Sequence, residues 1–168
     1  MEEKINNIDM IELEKTKNKI KSNGGHFYVE KHIDGEFHME GSPMFTAELG
    51  SEKAKFTLGA DEPGILGGQG VHATPLNYLM MGVMSCFAST VAIQAAKKGM
   101  ILKKLKFKGH LYYDIGPVVV ESGFPIIKSL KIDVESDQDI KEVLELSKKA
   151  CPALYAIVNP IHTEISQI

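Results

Sequence analysis

The chain has 168 residues, with 22 acidic side chains against 19 basic ones and a formal net charge of −3. That balance excludes the basic footprint of a typical nucleic-acid binder. The 43% hydrophobic and 24% charged content excludes a disordered chain and fits one soluble globular domain over residues 1–168, with 1–40 as an N-terminal extension.

In chain order, residues 9–22 read as a first helix. Asp9 is placed to cap it, Glu12 to complete a capping box, and Gly24-Gly25 to end it. Its apolar stripe is thin. Strand-like runs follow at His26–His32, Phe37–Glu40, Phe45–Leu49 and Lys55–Leu58, with Asp34-Gly35 as a hairpin signal. The Gly-rich segment 59–73, GADEPGILGGQGVHA, has neither the GK[ST] of a P-loop nor GxGxxG order, so it reads as a loop with permissive backbone angles.

Thr74-Pro75 then opens a long helix, with Thr as N-cap and Pro at the first helical position. The run from Pro75 to Ala96 carries no charge and is long enough to span a membrane. Asn77, Ser85, Ser89, Thr90 and Gln94 are spread through it, and both flanks are ordinary globular sequence. It therefore reads as the buried centre of a soluble fold, with no membrane partner. Gly99 closes it. Residues 102–114 and Ile126–Val134 alternate apolar and polar as half-buried strands. A helix over 137–149, a short helix from Cys151-Pro152 to Val158 and a final strand at Ile161–Ile165 complete an α+β order.

The lysines at 97–98 and 103–108 lack an aromatic platform and read as solvated faces, with no nucleic-acid partner. No metal-ligand spacing or cofactor motif is present, so no cofactor is expected. The start MEEKINNIDM lacks the pattern of a signal peptide, which points to the cytoplasm, where thiols stay reduced.

Two cysteines remain as candidate chemistry. Cys86 lies mid-helix in MSCFAST, where burial raises a thiol pKa and leaves it inert unless a cation or base comes from elsewhere. Cys151 precedes Pro152 and falls at a helix N-cap, where free amides favour a thiolate. Each is either core filler or a working thiol.

The pattern TPLNYLMMGVMSCFAST, then AAKKGM, two strands, a helix and ACPA, resembles the osmotically inducible protein C (OsmC-like) family, which includes the organic hydroperoxide resistance proteins. The resemblance runs from about Phe45 to Ile165. It implies an α+β fold in an intertwined homodimer, with the long helix buried between subunits. It implies that Cys86 is the peroxidatic thiol, oxidised by a hydroperoxide to a sulfenic acid, and that Cys151 resolves it as a disulfide which a thiol reductant reopens. It also implies an apolar pocket at the dimer interface. Candidate pocket residues here are His72, Leu76, Asn77, Met80 and Phe87, with Met81 and Met84 beside them.

Two parts of the family's pattern are missing. All 19 basic residues are Lys, so the Arg that holds the thiolate in peroxidase members is absent. Seventeen Ile beside these Lys also fit an AT-rich coding bias. Where those members carry a Glu to orient that Arg, this chain has Leu76 and Asn77. Losing a charge-assisted hydrogen bond to a buried thiolate removes about 1.5–3 kcal/mol, or about one to two pKa units. Two functions follow as expectations: thiol-dependent reduction of organic hydroperoxides, weakened by these losses, or non-catalytic binding of an apolar or thiol-bearing small molecule at the dimer interface.

Overall fold

A computed structural model of the chain describes residues 4–120 and 126–167. In chain order its elements are β1 (Lys4–Ile5), β2 (Ile8–Asp9), α1 (Met10–Ser22), β3 (Asp34–Phe37), β4 (Phe45–Gly50), β5 (Lys55–Ala60), a 3-10 turn (Gly64–Leu66), α2 (Pro75–Lys97), β6 (Leu105–Tyr113), α3 (Gly116–Val119), β7 (Ile127–Ser136), α4 (Lys141–Ala150) and α5 (Pro152–Val158). This is the expected α+β class. The described residues pack as two compact units: one of 4–26, 82–111 and 129–167, the other of 27–81, 112–120 and 126–128.

The first unit begins with a two-residue hairpin. Asn6 and Asn7 both have positive φ, 52° and 65°, so β1 and β2 are joined antiparallel by the mirror-image turn that matches strand twist. Asn6 also does tertiary work. Its amide donates to the carbonyls of Met100 (2.9 Å) and Ala92 (3.4 Å), and its oxygen accepts from the Leu102 N–H (2.8 Å). The hairpin is thereby tied to the end of α2 and the chain leaving it. Asp9 caps α1 as expected, accepting from the amides of Ile11 and Glu12 at 3.0 Å. The capping box is not closed in return: the Glu12 carboxylate turns outward to Lys15 at 2.5 Å.

The core of this unit is a stripe down α2. Phe87, Val91 and Ala95, at a spacing of four, lie on one helix face and pack with Ile140, Val143 and Cys151. Leu105 and Phe107 of β6, and Ile132 and Val134 of β7, press on the same cluster. They come from the alternating sides of two strands that pair in one sheet. The Phe87 and Phe107 rings meet edge to face, with centroids 6.1 Å apart. By length and composition α2 could cross a membrane, yet this face is part of a packed core with sheet and helices. Its end is a Schellman turn: Gly99 at φ 70°, with Met100 N–H donating to Ala95 and Gly99 N–H to Ala96.

The second unit holds an antiparallel sheet in the order β3-β4-β5. Here the hairpin signal misleads. Asp34 and Gly35 lie inside β3, paired with Glu48 and Ala47. Gly35 is needed for packing across the ladder, because a Cβ there would overlap the Phe45 ring. The expected strands at 26–32 and 161–165 do not form. Both runs have strand-like composition, but that composition only records fitness for a pleated surface and creates no ladder.

Buried Asp61, 1% exposed, organises the loops of this unit. Its carboxylate accepts from the Ser42 hydroxyl (2.7 Å) and from the amides of Met44 (2.8 Å), Val71 (3.2 Å) and His72 (3.3 Å). The Ser42 hydroxyl, followed by these amides, holds the acid below the ordinary carboxylate range. The Gly-rich loop is therefore pinned to the 42–44 loop by one anion.

Candidate redox site

The two cysteines come together in the first unit. Local rules position Cys151. Pro152 disfavours the helical region for the residue before it, so α4 stops and Cys151 takes extended angles, φ −83° and ψ 114°. The residue thus ends one helix and starts the next. Its N–H donates back to Ser147 (3.0 Å), and its sulfur accepts from the Leu154 N–H (3.4 Å) as the N-cap of α5. Its side chain is buried, 1% exposed.

Cys86 projects from the middle of α2 and is partly buried. The Cys151 thiol donates to the Cys86 sulfur across 3.6 Å, and both thiols are free. Closing a disulfide from here needs the sulfurs to approach to about 2.05 Å, a movement of side-chain scale. The more accessible sulfur belongs to α2 and the buried one to the cap, so a reagent entering from solvent meets Cys86 first.

Burial is the main influence on Cys86 and pushes its thiol above the ordinary value. The Ala153 N–H pulls the other way, and the neighbouring Cys151 thiol adds to the rise. The chain contains no Arg to offset the burial. Cys86 at neutral pH is therefore mainly a thiol, and its nucleophilic fraction is small.

The expected pocket residues fall in both units. Phe87 is 4% exposed and belongs to the core that also holds Cys151. Met80 is partly buried, and its position on α2 falls in the second unit. His72 is exposed in the second unit near Gly59, with its amide, not its ring, on Asp61. Asn77 lies in the first turn of α2, which Thr74 caps: the Asn77 amide N–H meets the Thr74 hydroxyl oxygen at 3.4 Å, and that hydroxyl donates to the Asn77 side chain at 2.9 Å. Leu76 lines a cavity of about 670 Å³ within the second unit. The cavity, the Asn6 tether and the Asp61 hub were not foreseen. Of the three, Asn6-Asn7 carried a readable signal, as an Asn pair between Ile5 and Ile8.

The family model described as OsmC-like protein matches residues 67–166, more than half of the chain, and this chain belongs to that family. The fold is that of solved relatives. An organic hydroperoxide resistance protein OsmC of Legionella pneumophila, described as a predicted redox protein and regulator of sulfide bond formation, is 16% identical. That match covers 77% of this chain and 91% of that one, at a TM-score of 0.59. An OsmC-like protein of Mycoplasma pneumoniae is 19% identical, covering 79% and 89%, at 0.58. An OsmC-like protein of unknown function from Vibrio cholerae is 10% identical, covering 77% and 94%, at 0.54. No curated protein matches the chain in sequence.

Proposed function

We propose that the protein reduces organic hydroperoxides with Cys86 and Cys151, as part of an oxidative stress response. The observation that carries this reading is the 3.6 Å contact between the two sulfurs. The Cys86 thiolate attacks the terminal peroxide oxygen. The O–O bond breaks, Cys86 becomes a sulfenic acid, and the departing alkoxide takes a proton to leave as the alcohol. The Cys151 thiol then attacks the Cys86 sulfur, a disulfide forms and water leaves. A dithiol reductant restores both thiols and is itself oxidised to its disulfide. The active assembly is a cytoplasmic homodimer in which the second copy covers apolar side chains such as Met39 and Met81, both well exposed in the single chain. Without an Arg the thiolate is less favoured, so turnover is slower than an Arg-held thiolate supports.

The test is consumption of cumene hydroperoxide with dithiothreitol as reductant. Wild-type protein turns over, and Cys86→Ser does not. Cysteine-independent or absent consumption removes the proposal.

One observation favours a second reading. Leu76 and Asn77 stand where peroxidase members carry a Glu, so the losses extend beyond a coding bias against Arg. In that reading the protein holds an apolar or thiol-bearing small molecule without turning it over. Native mass spectrometry of the purified protein then shows a bound small molecule, and consistently bare protein argues against it.

A further inference from the structure

Two consecutive backbone N–H groups meet the cysteine pair. Pro152 opens α5 with its ring-fixed φ, and Cys151 is the cap of the turn that follows. The Leu154 N–H donates to the Cys151 sulfur at 3.4 Å. The Ala153 N–H faces the Cys86 sulfur and favours its charged form. The two sulfurs lie 3.6 Å apart, and Cys86, Ala153 and Leu154 pack on the apolar cluster that holds Cys151. A hydrogen bond to a charged acceptor is stronger than one to a neutral acceptor, and a low local dielectric strengthens it further. Each N–H therefore contributes most when the sulfur it faces carries a negative charge.

We infer that the Ala153 and Leu154 amides are the charge-holding donors of the cysteine pair, Ala153 for the attacking Cys86 thiolate and Leu154 for Cys151 when it resolves or leaves. The inference deepens the hydroperoxide reading and rests on it for its catalytic meaning. In resolution the Cys151 thiolate attacks the Cys86 sulfenic sulfur. The S–S bond forms, the S–O bond breaks, and the departing hydroxide takes a proton to leave as water. In reduction an external thiolate attacks Cys86, the more accessible sulfur. The S–S bond breaks and its electron pair returns to Cys151, beside the Leu154 N–H. These two dipoles, aimed by the turn at Pro152, supply part of the charge stabilisation that an Arg would.

Cys151 itself allows the test, because a 1–150 thioester joins a synthetic 151–168 peptide at its N-terminal cysteine. Amide-to-ester replacement then deletes one N–H at a time from the refolded full chain: at Ala153, at Leu154 or, as a helix control, at Tyr155, whose N–H donates to the Cys151 carbonyl at 2.9 Å. The all-amide ligated chain is the reference. The Ala153 ester is expected to lower the Cys86 thiolate fraction about tenfold, the low end for a hydrogen bond to a charged group. Nucleophilicity rises as a thiol becomes more basic, so iodoacetamide labelling of Cys86 at pH 7 then falls about threefold. The Leu154 ester, oxidised to the disulfide with diamide, is expected to be reduced by dithiothreitol at least about threefold more slowly, because its leaving thiolate is poorer. The Tyr155 ester is expected to match the reference in both measurements. An unchanged rate in either the Ala153 or the Leu154 ester overturns the inference, as does an equal loss in the Tyr155 ester. Should an ester chain fail to refold, NMR of the unmodified 15N-labelled protein decides. The Ala153 amide proton is expected to move downfield as Cys86 ionises with rising pH, and to stay in place in Cys86→Ala. An Ala153 proton that ignores that ionisation overturns the inference. No arm uses a peroxide, so these results beside absent hydroperoxide turnover remove the hydroperoxide reading and leave the donor assignment in place.

Discussion

The Cys151 thiol points its hydrogen at the Cys86 sulfur across 3.6 Å, from a buried helix cap onto a partly exposed helix face. This contact makes one sulfur the reachable one and the other its nearest thiol. A sulfenic acid formed on Cys86 would meet Cys151 before any external thiol. One equivalent of organic hydroperoxide is therefore expected to form an intramolecular disulfide, with a mass loss of about 2 Da and no free thiols on denaturation. In Cys151→Ser the same treatment is expected to leave Cys86 as a sulfenic acid that excess peroxide carries to the sulfinic acid, about 32 Da heavier. Intact-mass spectrometry reads both.

The raised Cys86 pKa sets a pH dependence. Burial disfavours the thiolate, so iodoacetamide labelling of Cys86 is expected to climb steadily from pH 6 to pH 9, about tenfold per unit, without levelling near neutrality. The sign for stability follows. A group whose folded pKa lies above its unfolded value favours folding below the unfolded pKa, and that contribution fades as pH rises through the folded value. Denaturation midpoints of wild type should therefore fall on the alkaline side relative to Cys86→Ala. A labelling plateau below pH 7 would contradict this account of the site.

Asp61 works in the opposite sense. Its carboxyl is held below the ordinary range by the Ser42 hydroxyl and three backbone amides, so its contribution is present above the unfolded pKa and is lost as pH falls through the folded one. Asp61→Asn is expected to lower the melting temperature at pH 7. The gap from wild type should shrink steadily below about pH 4, where the unfolded carboxyl takes its proton. Thermal scans from pH 7 down to pH 3 check the convergence.

Phe87 offers a choice between core and pocket. At 4% exposure and in edge contact with Phe107, it belongs to the core. Phe87→Ala is expected to cost about 3–5 kcal/mol by leaving a cavity, and Phe87→Leu markedly less. If Phe87→Leu changed KM for a hydroperoxide while leaving stability untouched, the side chain would belong to a pocket instead. Urea unfolding and steady-state kinetics on the same protein separate the two.

Asn6 makes three hydrogen bonds to the backbone of Ala92, Met100 and Leu102 while occupying a left-handed turn position. Asn6→Ala loses the bonds and places a Cβ-bearing residue with no side-chain compensation at positive φ. A destabilisation of about 1–3 kcal/mol is expected. Asn7→Gly, which eases the turn and removes none of these bonds, should be neutral or slightly stabilising, and chemical denaturation compares the two.

Much of the first unit was legible in the chain because its signals act over a single turn. Pro152 forces a break after α4 and places Cys151 at the cap whatever lies around it. Gly99 ends α2 by a backbone angle that residues with a Cβ seldom adopt, and Thr74-Pro75 starts it. The alternation in β6 and β7 shows which side meets the core. The Cys86 and Cys151 motifs, in order, also carried the family resemblance. Where a local signal depends on a partner, it fails: Gly35 looked like a turn residue and proved to be a gap for the Phe45 ring, and the runs at 26–32 and 161–165 found no ladder.

Only the tertiary structure decided the rest. No rule of spacing relates residues 86 and 151. Their sulfurs meet because α2 and the α4–Cys151 segment share one core around Val91 and Val143, both almost wholly buried. The same holds for Asp61, whose four donors come from two separate loops, for Asn6, which reaches the far end of α2, and for the cavity at Leu76. Local sterics and hydrogen bonding set where elements begin and end. Burial of apolar surface, which has no memory of chain order, set which side chains became neighbours.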